Sequence, residues 1–132
     1  MGITTKWYNT EHTIIHNLHE GSWSWNDFHK AMSEIEGMLE TAPQKAFIIV
    51  DIQKSTMMPG GVPSQFGKLR NFWTNPKIEG AVMVGMNRLI QIFFNLFIQV
   101  SPQIRQLMYT APTLEAAEKL IQERRGAKPE KV

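Results

Sequence analysis

Residues Ala46–Phe66 read AFIIVDIQKSTMMPGGVPSQF, and the fold turns on the first seven of them. AFIIVDI is a continuous apolar run rich in β-branched residues, the mark of a central strand covered on both faces. It carries Asp51 at its end, then breaks into a loop through Met57, Met58, Pro59, Gly60 and Gly61. The two glycines supply permissive backbone, and Pro63 suits the first turn of a helix that runs to Trp73. A buried strand, a loop and a helix in that order make an α/β unit, whose strand ends are where ligands and functional acids gather.

Upstream, ITTKWY and HTIIHNL read as two short strands around the turn Asn9-Thr10-Glu11. Ser24 caps a helix with Asp27 in its third position, and Trp23 and Phe28 supply the flanking hydrophobic staple. Trp25, Phe28, Met32, Ile35 and Leu39 recur at helical spacing until Pro43 ends the run. Downstream, Ala81–Gly85 is a second buried strand, Arg88–Val100 a helix stopped at Ser101-Pro102, and Gln106–Tyr109 a weaker strand. Thr113 caps a last helix with Leu114, Ala117, Leu120 and Ile121 turned inward.

The order is therefore ββαβαβαβα. It predicts one α/β domain over residues 1–125: an N-terminal β-hairpin, then a βαβαβα-type, largely parallel sheet with right-handed crossovers, flanked by helices. Residues 126–132 read as a disordered tail.

Composition narrows the function. The chain of 132 residues is 42% hydrophobic and 20% charged, an ordinary globular balance with room for one core. Net charge is +2 and the basic residues are scattered, so nucleic acid is not an expected partner. With no cysteine, disulfides, thiolate catalysis and cysteine–zinc sites are excluded. MGITTKWYNTEH lacks the apolar core of a signal peptide, and Lys6 breaks the myristoylation pattern, so a cytoplasmic location is expected.

Enzyme motifs fail one by one. A P-loop needs a glycine where Val62 stands and a hydroxyl where Leu69 follows Gly67-Lys68. No dinucleotide fingerprint or nucleophile elbow is present. His12, His16 and His19 would share one face of a helix, as zinc ligands can, but Thr13 replaces the general base of the zincin motif. Thr13-Ile14-Ile15 favours a strand, where His12 and His16 lie about 13 Å apart and His19 points to the opposite face. Surface histidines and no metal are the expectation. Asp51 is expected to be structural, accepting loop amides or pairing with Lys54.

The unusual segment is NRLIQIFFNLFIQV, Asn87–Val100. Arg88, Gln91, Asn95 and Gln99 form a narrow polar stripe on its helical wheel, and apolar residues cover roughly two-thirds of the circumference at about 100° per residue. A helix on a sheet needs an apolar stripe only a little over about 100° wide, so part of this surface should stay uncovered by the sheet. The helix is too short to span a bilayer, which takes about 20 apolar residues. Neighbouring helices or the Met57-Met58 loop can cover the excess; a self-association face and an apolar-ligand or membrane-contact face are the other readings. Met57, Met58, Met83, Met86 and Met108 would suit an adaptable apolar surface.

The element order, with IIVDI, GAVMVGMN, YTAPTLEAAEKLI and the lead-in GSWSWNDF, resembles the SpoIIAA-like branch of the STAS family, the anti-sigma-factor-antagonist fold. The likeness spans residues 3–124. It implies a four- or five-stranded sheet with helices, no enzymatic activity, no cofactor, and action through protein partners. Phospho-switched members carry Asp-Ser-x-Gly where the loop after the central strand meets its helix. Pro59, Gly60 and Gly61 stand there in this chain, without a hydroxyl, so the switch is expected to be absent. CRAL-TRIO lipid-binding proteins share a similar core fold, a fold-level analogy for apolar ligands.

The expected function is thus a non-enzymatic, STAS-like regulatory module that binds another protein or itself as a homodimer. The face to bear it combines Met57, Met58, Gly60 and Gly61 with Ile90, Phe93, Phe94 and Phe97, and Asp51, Ser55 and Thr56 form a polar site beside the loop. The alternative is apolar small-molecule or lipid binding, or membrane-surface contact, through the aromatic helix 88–100.

Overall fold

A computed structural model describes residues 2–57, 60–100 and 102–126. The chain runs β1 (Ile3–Trp7), β2 (Ile14–Ser22), α1 (Trp25–Thr41), β3 (Ala46–Met57), a 3-10 turn (Val62–Gln65) and α2 (Phe66–Trp73). Then come β4 (Ile78–Val84), α3 (Arg88–Val100), α4 (Pro102–Arg105), β5 (Met108–Ala111) and α5 (Leu114–Gly126). The described strands form one five-stranded mixed sheet in the order β1-β2-β3-β4-β5. β1 pairs antiparallel with β2, and the other three pairings are parallel. The α/β class and the hairpin are as the sequence implied, and no helix among the described residues is long and apolar enough to cross a membrane.

Alternation along each strand divides the core in two. Ile15, Ile48, Val50, Ile52 and Ala81 face one way and pack with Ile35 and Leu39 of α1, Phe72 and Trp73 of α2, and Ile104 of α4. Ile90 and Ile98 of α3 join the same side. Ile14, Phe47, Ile49, Val82 and Val84 face the other way and pack against Ala117 and Ile121 of α5. Three crossovers thus share one face, and among the described helices α5 guards the second.

Local chemistry explains the ends. Ser24 accepts from the Asp27 amide while the Asp27 carboxylate accepts from the Ser24 amide, a full capping box. Trp23 stacks on Phe28 at 5.8 Å between centroids, closing the staple. Thr113 accepts from the Ala116 amide and caps α5. Arg125, in the last turn of α5, donates to Glu79 of β4 at 2.8 Å and to the Thr13 carbonyl at 2.8 Å, and lies 5.3 Å over the Phe47 ring.

Several boundaries differ from the sequence reading. β3 continues through Met57, so Gln53–Met57 is strand and not loop; Gly21 and Ser22 of an equally extended β2 pair with Ser55 and Met57. β4 starts at Ile78, β5 is displaced to Met108–Ala111, and Pro102 opens the short α4 where only a stop was expected. The helix expected from Pro63 begins as a 3-10 turn, and α5 reaches Gly126; residues 127–132 of the expected tail lie outside the described residues.

Gly85 follows β4 with φ +79°, and a Cβ there would press into Gln53, 3.0 Å from its Cα. Gly85→Ala is expected to lower stability by about 1–3 kcal/mol in urea unfolding, since the left-handed backbone and the close approach both penalise a side chain. An unchanged midpoint would contradict this packing.

Candidate functional site

On the three-crossover face the helices do not close over the sheet. A cavity of about 130 Å³ remains between β2, β3, β4, β5 and the helices α1, α2 and α3. Ile48, Val50 and Ile52 form its floor; Ala31, Met32 and Ile35 of α1 and Leu69 and Phe72 of α2 form two walls. Ile90 and Phe94 bring in α3, and Met83 and Met108 complete the far end. Trp23, Trp25 and Phe28 make an aromatic rim: the two indoles meet edge to face at 5.7 Å, and Trp25 meets Phe28 at 5.3 Å.

The rim is tied down by the segment with which the sequence reading began. Trp23 Nε1 donates to Ser55 Oγ at 3.0 Å, and Trp25 Nε1 donates to the Gly60 carbonyl at 2.7 Å. Gly61, at φ +75°, accepts from the Ser64 hydroxyl at 2.7 Å and so shapes the 3-10 turn. Of the expected surface, then, Ile90 and Phe94 line the cavity, while Ser55 and Gly60 hold the tryptophans that frame it. Thr56 is exposed on β3. Met58 lies outside the described residues, as do the side chains of Met57, Phe93 and Phe97.

One end of the cavity is polar. Thr5, Asn17 and His19 occupy one face of β1 and β2. Asn17 Nδ2 donates to Thr5 Oγ1 at 3.1 Å, which turns its Oδ1 toward His19 Nε2 at 2.7 Å. Nε2 therefore carries the proton, and Nδ1 is left as a lone-pair acceptor. His19 is only 2% exposed, and its Nδ1 is buried with no hydrogen-bond partner. Burial pushes the imidazole from its ordinary 6.5 down to about 4, against the opposing pull of the Asp51 carboxylate.

His16 and His19 had been expected at the surface; both are buried. They point to opposite faces, as strand geometry requires, because β2 carries them three residues apart. His16 Nε2 bonds Asp51 Oδ2 at 3.0 Å on the α5 face. That pairing replaces the expected one with Lys54. Asp51 Oδ1 accepts from the Gln53 amide at 3.2 Å and side chain at 3.1 Å. Burial works to raise the Asp51 carboxyl, but the bonds from His16 and Gln53 outweigh it and hold the group below its ordinary value. His12 adopts φ 58° in the turn and stacks on Trp7 at 4.5 Å. The three histidines thus occupy three separate environments, and among the described residues no three potential ligands gather for a metal.

The sequence reading missed Asn17 and placed His19 at the surface. Period-two alternation from Ile15 was the available signal: it places residues 15, 17 and 19 on one face.

Neither protein-family models nor curated proteins match this chain.

The folded protein keeps His19 neutral down to about pH 4, while an unfolded chain protonates it near 6.5. Unfolding therefore takes up a proton between those values, and stability is expected to fall by about 3 kcal/mol as pH drops through that window. Asp51 adds its own loss only below its ordinary value of 3.8. Urea unfolding across this range should show the slope, and His19→Leu should flatten it; parallel curves would contradict the assignment.

Proposed function

We propose that this protein is a non-enzymatic binding module whose ligand is a small apolar molecule held between the sheet and α1, α2 and α3. The cavity carries this reading. Native interiors pack like organic crystals and hold few voids larger than a water molecule. A space of about 130 Å³ lined almost wholly by apolar side chains is well above that size. A comparable apolar cavity of about 150 Å³ stays dry and admits benzene. Molecules of one ring, or of similar bulk, are the matching class.

The SpoIIAA-like STAS resemblance stays within this reading. Support comes from the sequential strand order and from the crossover helices gathered on one face.

A second reading, contact with a protein partner or a second copy, is favoured by the outer side of α3. Ile92 is 51% exposed and Leu96 44%, one turn apart beside the polar stripe. They are the uncovered part of the wide apolar circumference. Phe94, by contrast, is committed to the cavity.

Toluene is the first probe. Calorimetric titration is expected to show saturable binding, and Ala31→Leu, which fills the cavity from α1, is expected to weaken it at least about tenfold, the equivalent of about 1.4 kcal/mol. Protein that takes up no toluene, and no retained compound in native mass spectrometry, would remove the reading. For the outer face, the double variant Ile92→Glu/Leu96→Glu is expected to turn any self-associated form into a folded monomer by light scattering. An oligomer that persists would place the contact elsewhere.

A further inference from the structure

The cavity reading leaves one atom unexplained. Buried polar atoms are almost always hydrogen-bonded, and leaving one bare costs free energy. Five side chains with hydrogen-bonding groups line the cavity: Asn17, His19, Trp23, Trp25 and Trp73. The indole N–H groups of Trp23 and Trp25 are engaged, one by Ser55 and one by the Gly60 carbonyl. Asn17 is engaged at both ends, by Thr5 and by His19. His19 Nδ1 is the fully buried polar atom among the described lining side chains that has no hydrogen-bond partner.

We propose that the cavity takes an apolar ring of about benzene size carrying one hydroxyl, a phenol or a cyclic alcohol, whose O–H donates to His19 Nδ1. This rests on the apolar-ligand reading above and narrows it to a chemical class. Three observations converge. The Thr5–Asn17–His19 relay places the proton on Nε2 and so makes Nδ1 an acceptor and never a donor. A ligand must therefore bring a donor; a ketone or an ether would face one lone pair with another.

Water is a poor substitute. An ordered water needs two to four polar partners. The rings beside this imidazole are Trp23 at 4.8 Å, edge to face, and Phe28 at 6.2 Å, and neither can serve. Charge also selects. Among the described lining residues there is no lysine or arginine, so an anionic carboxylate would meet no partner there. Burial keeps the ring neutral at ordinary pH, which leaves the lone pair free for a donor.

p-Cresol and toluene share a shape and differ by the hydroxyl, so they separate the two readings. In calorimetry at neutral pH, p-cresol is expected to bind about tenfold tighter than toluene, the size of one buried hydrogen bond. His19→Leu is expected to abolish that preference while toluene still binds. Should the variant not fold, the native protein decides: the 15N resonance of His19 Nδ1 is expected to move on adding p-cresol and to stay put with toluene. Equal or weaker binding of p-cresol, with an unmoved Nδ1, overturns this inference and leaves the apolar cavity standing. Failure of both probes to bind overturns the two together.

Discussion

Handedness governs this molecule. A connection between adjacent parallel strands is right-handed, so strands that follow one another in simple order must place every crossover on the same side. The order β1-β2-β3-β4-β5 therefore commits α1, α2 and the α3–α4 pair to one face. Among the described helices, α5 covers the other face, reaching Ile14, Phe47, Ile49, Val82 and Val84. The crowded face is broad, and its helices leave a gap over Ile48, Val50 and Ile52 of β3. On the sparse face α5 meets β2 near its start, at Ile14, and farther along that strand a buried polar pair, His16 and Asp51, takes the place of apolar packing.

The two faces treat histidine differently for this reason. His16 has a charged partner, and that partner is further held by Gln53, so the pair is compensated where it lies. His19 has a neutral amide on one nitrogen and apolar neighbours elsewhere, so it stays uncharged. Three residues apart on one strand, the same side chain is bonded to a carboxylate on one face and keeps a bare acceptor on the other. Neighbours supplied by α1 make the difference.

Much of this was legible in advance because it is local. The Ser24–Asp27 capping box, the Trp23–Phe28 staple, the Thr113 cap and the buried run of β3 each declare themselves within a few residues. The polar stripe Arg88, Gln91, Asn95 and Gln99 is exposed throughout, as the helical wheel requires. What escaped was non-local. Gln53–Met57 looks like loop by composition, and only pairing with Gly21 and Ser22 makes it strand. Asp51 lies 35 positions from His16, so no reading of its near neighbours could find that bond. The inward side of α3 was ambiguous because the excess apolar width hides its orientation; the sheet resolves it, with Ile90 and Phe94 turned in and Ile92 and Leu96 out.

The Arg125 clamp has a consequence for how the protein is made. It joins Thr13 in the first turn region to the last turn of α5, across 112 positions. A nascent chain can pair β2, β3 and β4 and gather the first helices while translation continues, since domains assemble from the N-terminal side. The second face cannot close until α5 has left the ribosome. Through that interval Phe47 and Ile49, 2% and 0% exposed in the finished protein, have no cover. Ribosome-bound chaperones would meet this apolar strip, and a chain stalled before α5 would present it to its neighbours.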